Sequence, residues 1–166
     1  MIDVGCGHGG YLQKLSAVYP DLQMLGIEVN EEVAKEAGSR CRECTNIRVE
    51  CADAIEYHPK EKTDYVMMNN LLHYLSPEMR KALFIQMTQW LGKEGIISII
   101  TPIQNSRHGK QFSSAFNSFF AAFDNLYPVP EKSDLKEIAD LIHMKMTDFR
   151  PVVKEGSWYF LTMKRK

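Results

Sequence analysis

Nothing in this chain constrains its fold more than the run Asp3-Val4-Gly5-Cys6-Gly7-His8-Gly9-Gly10, which is followed by Tyr11, Leu12, Leu15 and Val18 at helical spacing. A short apolar strand that turns through glycines straight into a helix is the opening of a parallel α/β unit. Glycine recurs where the backbone must take φ above zero or where a ligand must come close to bare peptide. Gly5, Gly7 and Gly9 leave room for a flat, adenosine-sized ligand against the turn.

Two kinds of nucleotide site begin in this way. The spacing Gly5-x-Gly7-x-x-Gly10 fits the dinucleotide fingerprint, in which a pyrophosphate meets the helix N-terminus. Asp3, however, stands two residues before Gly5, where that pattern carries an apolar strand residue. A carboxylate there repels a pyrophosphate and attracts a ligand whose near end bears an ammonium and a sulfonium. With Asp3-x-Gly5-x-Gly7-x-Gly9 as its first motif, the sequence resembles the class I S-adenosylmethionine-dependent methyltransferases over nearly its whole length. The resemblance implies an α/β fold: a Rossmann-like three-layer sandwich around a mostly parallel seven-stranded sheet that closes with a C-terminal antiparallel hairpin. It also implies S-adenosyl-L-methionine as cofactor. In the stretch Met24-Leu25-Gly26-Ile27-Glu28, Glu28 takes the place of the acid that bonds both ribose hydroxyls, and Asp53 that of the acid meeting the adenine amino group. The implied cofactor-binding set is Asp3, Gly5, Cys6, Gly7, Gly9, Glu28, Val29, Asp53, Ala54 and Asn69.

A chain of 166 residues with 45% hydrophobic content can bury a proper core, and one domain over residues 1–166 is expected. Its net charge of −1 advertises neither a nucleic-acid nor a membrane partner, and Lys164-Arg165-Lys166 reads as a solvated tail. No apolar run approaches the ~18 residues that span a bilayer, which makes a cytoplasmic enzyme the plain reading. The four cysteines suit a reducing compartment; Cys41-x-x-Cys44 lacks two further ligands for a tetrahedral metal site and reads as free thiols, so no metal is expected.

Taken in order, the chain alternates strand and helix. Helix one runs to Val18, before Pro20; Leu22 to Glu28 is a strand; Asn30 caps a second helix with Glu31 and Glu32 in its first turn. Ile47 to Cys51 and Tyr65 to Met68 are strands three and four. Ser76 and Pro77 open a helix that runs to Leu91, with Gly92 as its left-handed stop, and Ile96 to Ile100 is strand five. From Gly109 the pattern changes: Phe112, Phe116, Phe119, Phe120, Phe123 and Tyr127 line one stripe of a helix ended by Pro128, an aromatic-rich insertion over about residues 109–128. A last helix is capped by Asp134 with Glu137 three residues on, turning Leu135, Ile138, Leu141 and Ile142 inward. Phe149 to Val153 and Trp158 to Met163 form a hairpin around Gly156.

Methyl transfer from a sulfonium is an in-line displacement that a protein can serve by alignment and exclusion of water, with a base needed only when the acceptor must lose a proton. His73, after strand four, is the candidate base, set against a structural imidazole at a helix edge; His108 is a weaker candidate. Nucleobase and glutamine methylases of this family place Asn or Asp, then Pro-Pro, then an aromatic residue after strand four. Asn69-Asn70-Leu71 departs from that pattern and points to a small-molecule acceptor methylated on oxygen, carbon or nitrogen, bulky or apolar if the aromatic helix is a lid instead of core. The alternatives are a non-catalytic methyltransferase-like binding module and an NAD(P)-dependent oxidoreductase. Family members carry a helical segment before the first strand, whereas only Met1 and Ile2 precede Asp3. This leaves three expectations: a longer product, a gap filled by the aromatic helix, or one filled by a second subunit such as a homodimer partner.

Overall fold

The computed structural model describes residues 1–104, 110–152 and 157–166. Seven strands form one sheet in the order β3-β2-β1-β4-β5-β7-β6. β1 (Ile2–Val4) lies at its centre, parallel to β2 (Met24–Glu28) on one side and to β4 (Thr63–Asn69) on the other. β3 (Ile47–Cys51) and β5 (Leu91–Pro102) extend the parallel part; β6 (Met144–Pro151) and β7 (Trp158–Arg165) close it as an antiparallel pair. Chain order reverses between β1 and β4, and at such a switch point the loops leaving neighbouring strands diverge and open a crevice at their carboxyl ends.

Alternation along the strands divides the core in two. Val4, Ile27, Val66, Met68, Ile97, Ile99 and Leu161 face Leu83, Phe84, Met87 and Trp90 of α3 (Pro77–Trp90) and Leu135 and Ile138 of α5 (Lys132–Leu141). On the opposite face Met24 and Cys6 pack with Leu12 of α1 (Gly10–Val18) and with Ala37 and Cys41 of α2 (Glu31–Cys41). Helices therefore flank both faces, as the three-layer expectation requires.

Local signals set several boundaries as expected. Asn30 Oδ1 accepts from the Val33 amide, and Ser76 Oγ from the Met79 amide behind Pro77. Four expectations are corrected. Gly92 is not a left-handed stop: Leu91 is already extended and buried, pairing with Thr63, while Ile96 pairs with Tyr65, so the residues between loop out of the ladder. The anchoring of Leu91 in the core draws the chain from helix into strand without a turn. The aromatic helix, α4 (Lys110–Phe120), ends at Phe120, which places Phe123 and Tyr127 beyond it. In α5 the cap is Glu131, and Asp134 is its third residue, returning its carboxylate to the Glu131 amide; a capping box has two acidic members here, and the sequence alone does not say which comes first. Leu141 is exposed. His108, Gly109 and the hairpin turn at residues 153–156 lie outside the described residues.

Candidate functional site

The site grows from the turn after β1. Gly5, Gly7 and Gly9 all take positive φ, at 67°, 54° and 71°. The Gly5 and Cys6 amides donate to the Ile27 carbonyl, which ties the turn to the end of β2. The three glycines are required for different reasons. A Cβ on Gly5 would lie 3.0 Å from Leu71, and one on Gly9 3.0 Å from Cys41 Sγ and 3.2 Å from Ala37, whereas one on Gly7 would meet nothing within 4 Å. Gly9 thus serves the packing of α1 on α2, and Gly7 presents open backbone.

Around Gly7 a cavity of about 590 Å³ opens at the carboxyl ends of β1, β2, β3 and β4. Gly5, Gly7, Glu28, Val29, Asp53, Ala54 and Asn69 from the expected set line it, joined by Asn70, Leu71 and Tyr74 from the loop after β4 and by Met79 from α3. Glu28 stands at the end of β2, its Oε2 accepting from the Gly7 amide at 3.0 Å and its Oε1 from the Asn30 amide at 3.1 Å. Each carboxylate oxygen has a second lone pair, so both can take a further donor. Asp53 Oδ1 accepts from the Ile55 amide, which holds an exposed carboxylate at the cavity edge.

Asp3, Cys6, Gly9 and His73 are not among the lining residues. Asp3 is 3% exposed; burial, and then the nearby Glu28 carboxylate, push its carboxyl up to about 7. The Cys6 thiol points toward Gly26 and Leu12, and burial followed by the Asp3 and Glu28 charges raises it to about 12, leaving it a protonated, inert thiol. His73 lies in a single 3₁₀ turn, Leu72–Tyr74, stacked on Phe120 at 4.9 Å and against Tyr74 at 4.3 Å. Its Nδ1 is buried without a hydrogen-bond partner among the described residues, and burial together with the Arg80 charge holds the imidazole below its usual range, so it is neutral at neutral pH. Arg80 Nε donates to the Leu72 carbonyl and Nη2 to that of Pro128, tying this turn to the segment before α5.

Met79 was missed from sequence, and Asn70 and Tyr74, though part of the loop Asn69 to Tyr74 that the family resemblance turns toward the methionine end of the donor, were not singled out as site residues. Tyr74 follows the singled-out His73, and Asn70 is marked only by a left-handed φ of 54° that asparagine tolerates and no pattern announces. A second cavity of about 590 Å³ lies at the opposite, amino ends of the strands, lined by Met1, Gln23, Thr45 and Lys62 among others. It contains none of the glycine turn, Glu28 or Asp53. Among the described residues no group of three or more His, Cys, Asp or Glu is placed to hold a metal, and the four cysteines are free thiols.

Residues 1–95 match the family model described as a methyltransferase domain. The chain belongs to that family. The resemblance to class I S-adenosylmethionine-dependent methyltransferases, drawn from the motif Asp3 to Gly9, is borne out, as is the seven-stranded Rossmann-like sheet. Trans-aconitate 2-methyltransferase of Yersinia pseudotuberculosis is 27% identical over 100 residues, 60% of this chain and 37% of that protein. A tRNA (guanine-N(7)-)-methyltransferase of Brugia malayi is 36% identical over 88 residues, 48% of this chain and 34% of that one. The chain thus spans about a third of the length of these relatives. Among solved structures, the mitomycin 7-O-methyltransferase superposes with a TM-score of 0.85 at 15% identity, covering 99% of this chain and 48% of that one, which is a likeness of fold. Among the described residues no helix is long and apolar enough to cross a membrane.

Proposed function

We propose that residues 1–166 act as a single S-adenosylmethionine-dependent methyltransferase domain on a small-molecule acceptor in the cytoplasm. The observation that carries this reading is the meeting of open backbone at Gly7 with the Glu28 and Asp53 carboxylates in one cavity at the β1/β4 switch point. The residues suit the donor: Glu28 has acceptor capacity for the ribose hydroxyls, Asp53 and Ala54 flank the place of the adenine ring, and the Asp3 and Glu28 carboxylates together favour a cationic end. Val29 and Asn69 complete the walls. When bound, the donor supplies a methyl group already activated on a sulfonium. The chain's own part is to align the reactants and keep water out. His73, neutral and behind Tyr74, is a base only for an acceptor whose proton reaches past that ring. Cys6 and Gly9 support the turn from beneath, without a side chain in the cavity.

A small acceptor is favoured over a nucleic acid by the chain's net charge of −1 and by the absence of an Asn-Pro-Pro stretch after β4. The trans-aconitate and mitomycin enzymes, named for small acceptors, point the same way. Calorimetric titration with S-adenosylhomocysteine, followed by labelled methyl transfer to an acceptor panel, tests the proposal. Binding without turnover on any acceptor would leave a donor-binding module; no binding at all would reject the donor site.

A further inference from the structure

We propose that Trp158, Phe112 and Phe116 form, with Asn70, a second subsite beside the donor cavity that takes the ring of a planar aromatic molecule; its assignment as the acceptor's place rests on the methyltransferase reading above. The link between the two sites is a single hydrogen bond. Asn70 lines the donor cavity, and its Oδ1 accepts from the Trp158 indole N–H at 2.6 Å across 88 residues of sequence. That bond fixes the plane of a half-buried indole at the start of β7. Asn70 holds the bond from a left-handed backbone, φ 54°, a conformation that costs energy for any residue with a Cβ and that collects where a side chain must be aimed. Its side-chain nitrogen makes no hydrogen bond among the described residues and remains for an oxygen on the rim of the guest.

α4 supplies the other wall. Phe112 sits 5.2 Å from the indole at 54°, and Phe116 5.7 Å at 69°. Both rings meet it at an angle, so among the described residues no ring lies flat on Trp158. The same helix shows what a filled aromatic contact looks like: Phe120, 4% exposed, is stacked on His73 at 11°. Phe112, stacked on Phe116 on one side at 5.4 Å and 23°, is still 45% exposed, an apolar ring left partly in water. A planar π-system gains offset-stacked and edge contacts with these rings beyond the area it buries; a saturated ring of the same size gains only the area. This pairing of a fixed indole, two tilted phenyl rings and a free carboxamide N–H favours an oxygen-bearing aromatic over an aliphatic chain.

The test compares 2-naphthol with decahydro-2-naphthol, the same skeleton and hydroxyl without the π-system, by ligand-observed NMR titration of the full chain. The expected result is about fivefold tighter binding of 2-naphthol, from one or two ring contacts. Trp158→Ala and Phe112→Ala should bring the two probes within about twofold, and Trp158→Phe should retain the preference. Phe112 lies on an exposed face of α4, so its variant remains informative if Trp158→Ala does not fold. Equal binding of both probes to the wild-type chain, or a preference that survives in Phe112→Ala, overturns the subsite. S-adenosylhomocysteine affinity is measured in parallel. If it is absent while the aromatic preference holds, the subsite stands and the methyltransferase reading falls; if it is present without the preference, the subsite alone falls.

Discussion

Replacing Asp3 with asparagine should make the ligand-free protein more stable at pH 8 and weaken its hold on a cationic donor. Asp3 is 3% exposed between β2 and β4, and its carboxyl is raised from 3.8 to about 7, by burial first and by Glu28 second. Because the folded state holds the proton more tightly than the unfolded chain, it binds more protons throughout the window from 3.8 to about 7. Stability therefore falls as pH rises through that window and levels off above it. At about 1.4 kcal/mol per pH unit, the ionised carboxylate costs on the order of 4 kcal/mol at pH 8. Asparagine keeps the shape and never ionises. Urea denaturation of both proteins from pH 4.5 to 8.5 should give curves that nearly coincide at the acid end and separate toward pH 8, the variant higher by roughly 2–4 kcal/mol. A donor with an ammonium and a sulfonium favours the ionised carboxylate, so wild-type donor affinity should drop below pH 7 and binding near pH 6 should release a proton, seen as a buffer-dependent calorimetric enthalpy. The Asp3→Asn variant should lose both effects. A variant no more stable than wild type at pH 8, or a gap that does not grow with pH, would refute the electrostatic argument.

Glu28→Ala removes the proposed acceptor for the ribose hydroxyls along with the bonds from the Gly7 and Asn30 amides, and at about 1.5–3 kcal/mol per charged hydrogen bond donor affinity should fall tenfold or more. Asp53→Ala should cost less in the same titration, and a larger loss than at Glu28 would reverse the assigned roles. Gly7→Ala and Gly9→Ala should separate binding from folding. At Gly7 only the left-handed backbone is penalised, about 1–2 kcal/mol, while donor binding is blocked; at Gly9 the added methyl also strikes Cys41 and Ala37, so thermal stability should drop further. His73→Phe fills the same slot between Tyr74 and Phe120 without a buried, unpartnered nitrogen, so thermal melting should show unchanged or slightly raised stability. Turnover lost in that variant at unchanged stability would assign His73 a chemical part.

What could be read before any coordinates was what is decided over a few neighbouring residues. Asn30 and Ser76 cap their helices because each side chain reaches an amide three positions on, and Glu28 ends β2 because the apolar stretch before it stops there. The motif Asp3 to Gly9 belongs to the same class: left-handed turns and a strand-to-helix reversal leave their mark in glycine itself. Gly92 shows the limit of such reasoning, for the burial of Leu91 in a core assembled from distant strands overrode a local stop signal.

The sequence by itself determined the strand and helix order and the methyltransferase family, and it pointed to Glu28 and Asp53 as the proposed donor carboxylates, since periodicity, capping and glycine turns are short-range physics. Only the tertiary structure decided which glycine is open to a ligand, that Asp3 lies buried beside Glu28, and that Trp158 meets Asn70 across 88 residues. Those are matters of burial and distance between segments remote in the chain, and neither quantity exists until the sheet has closed.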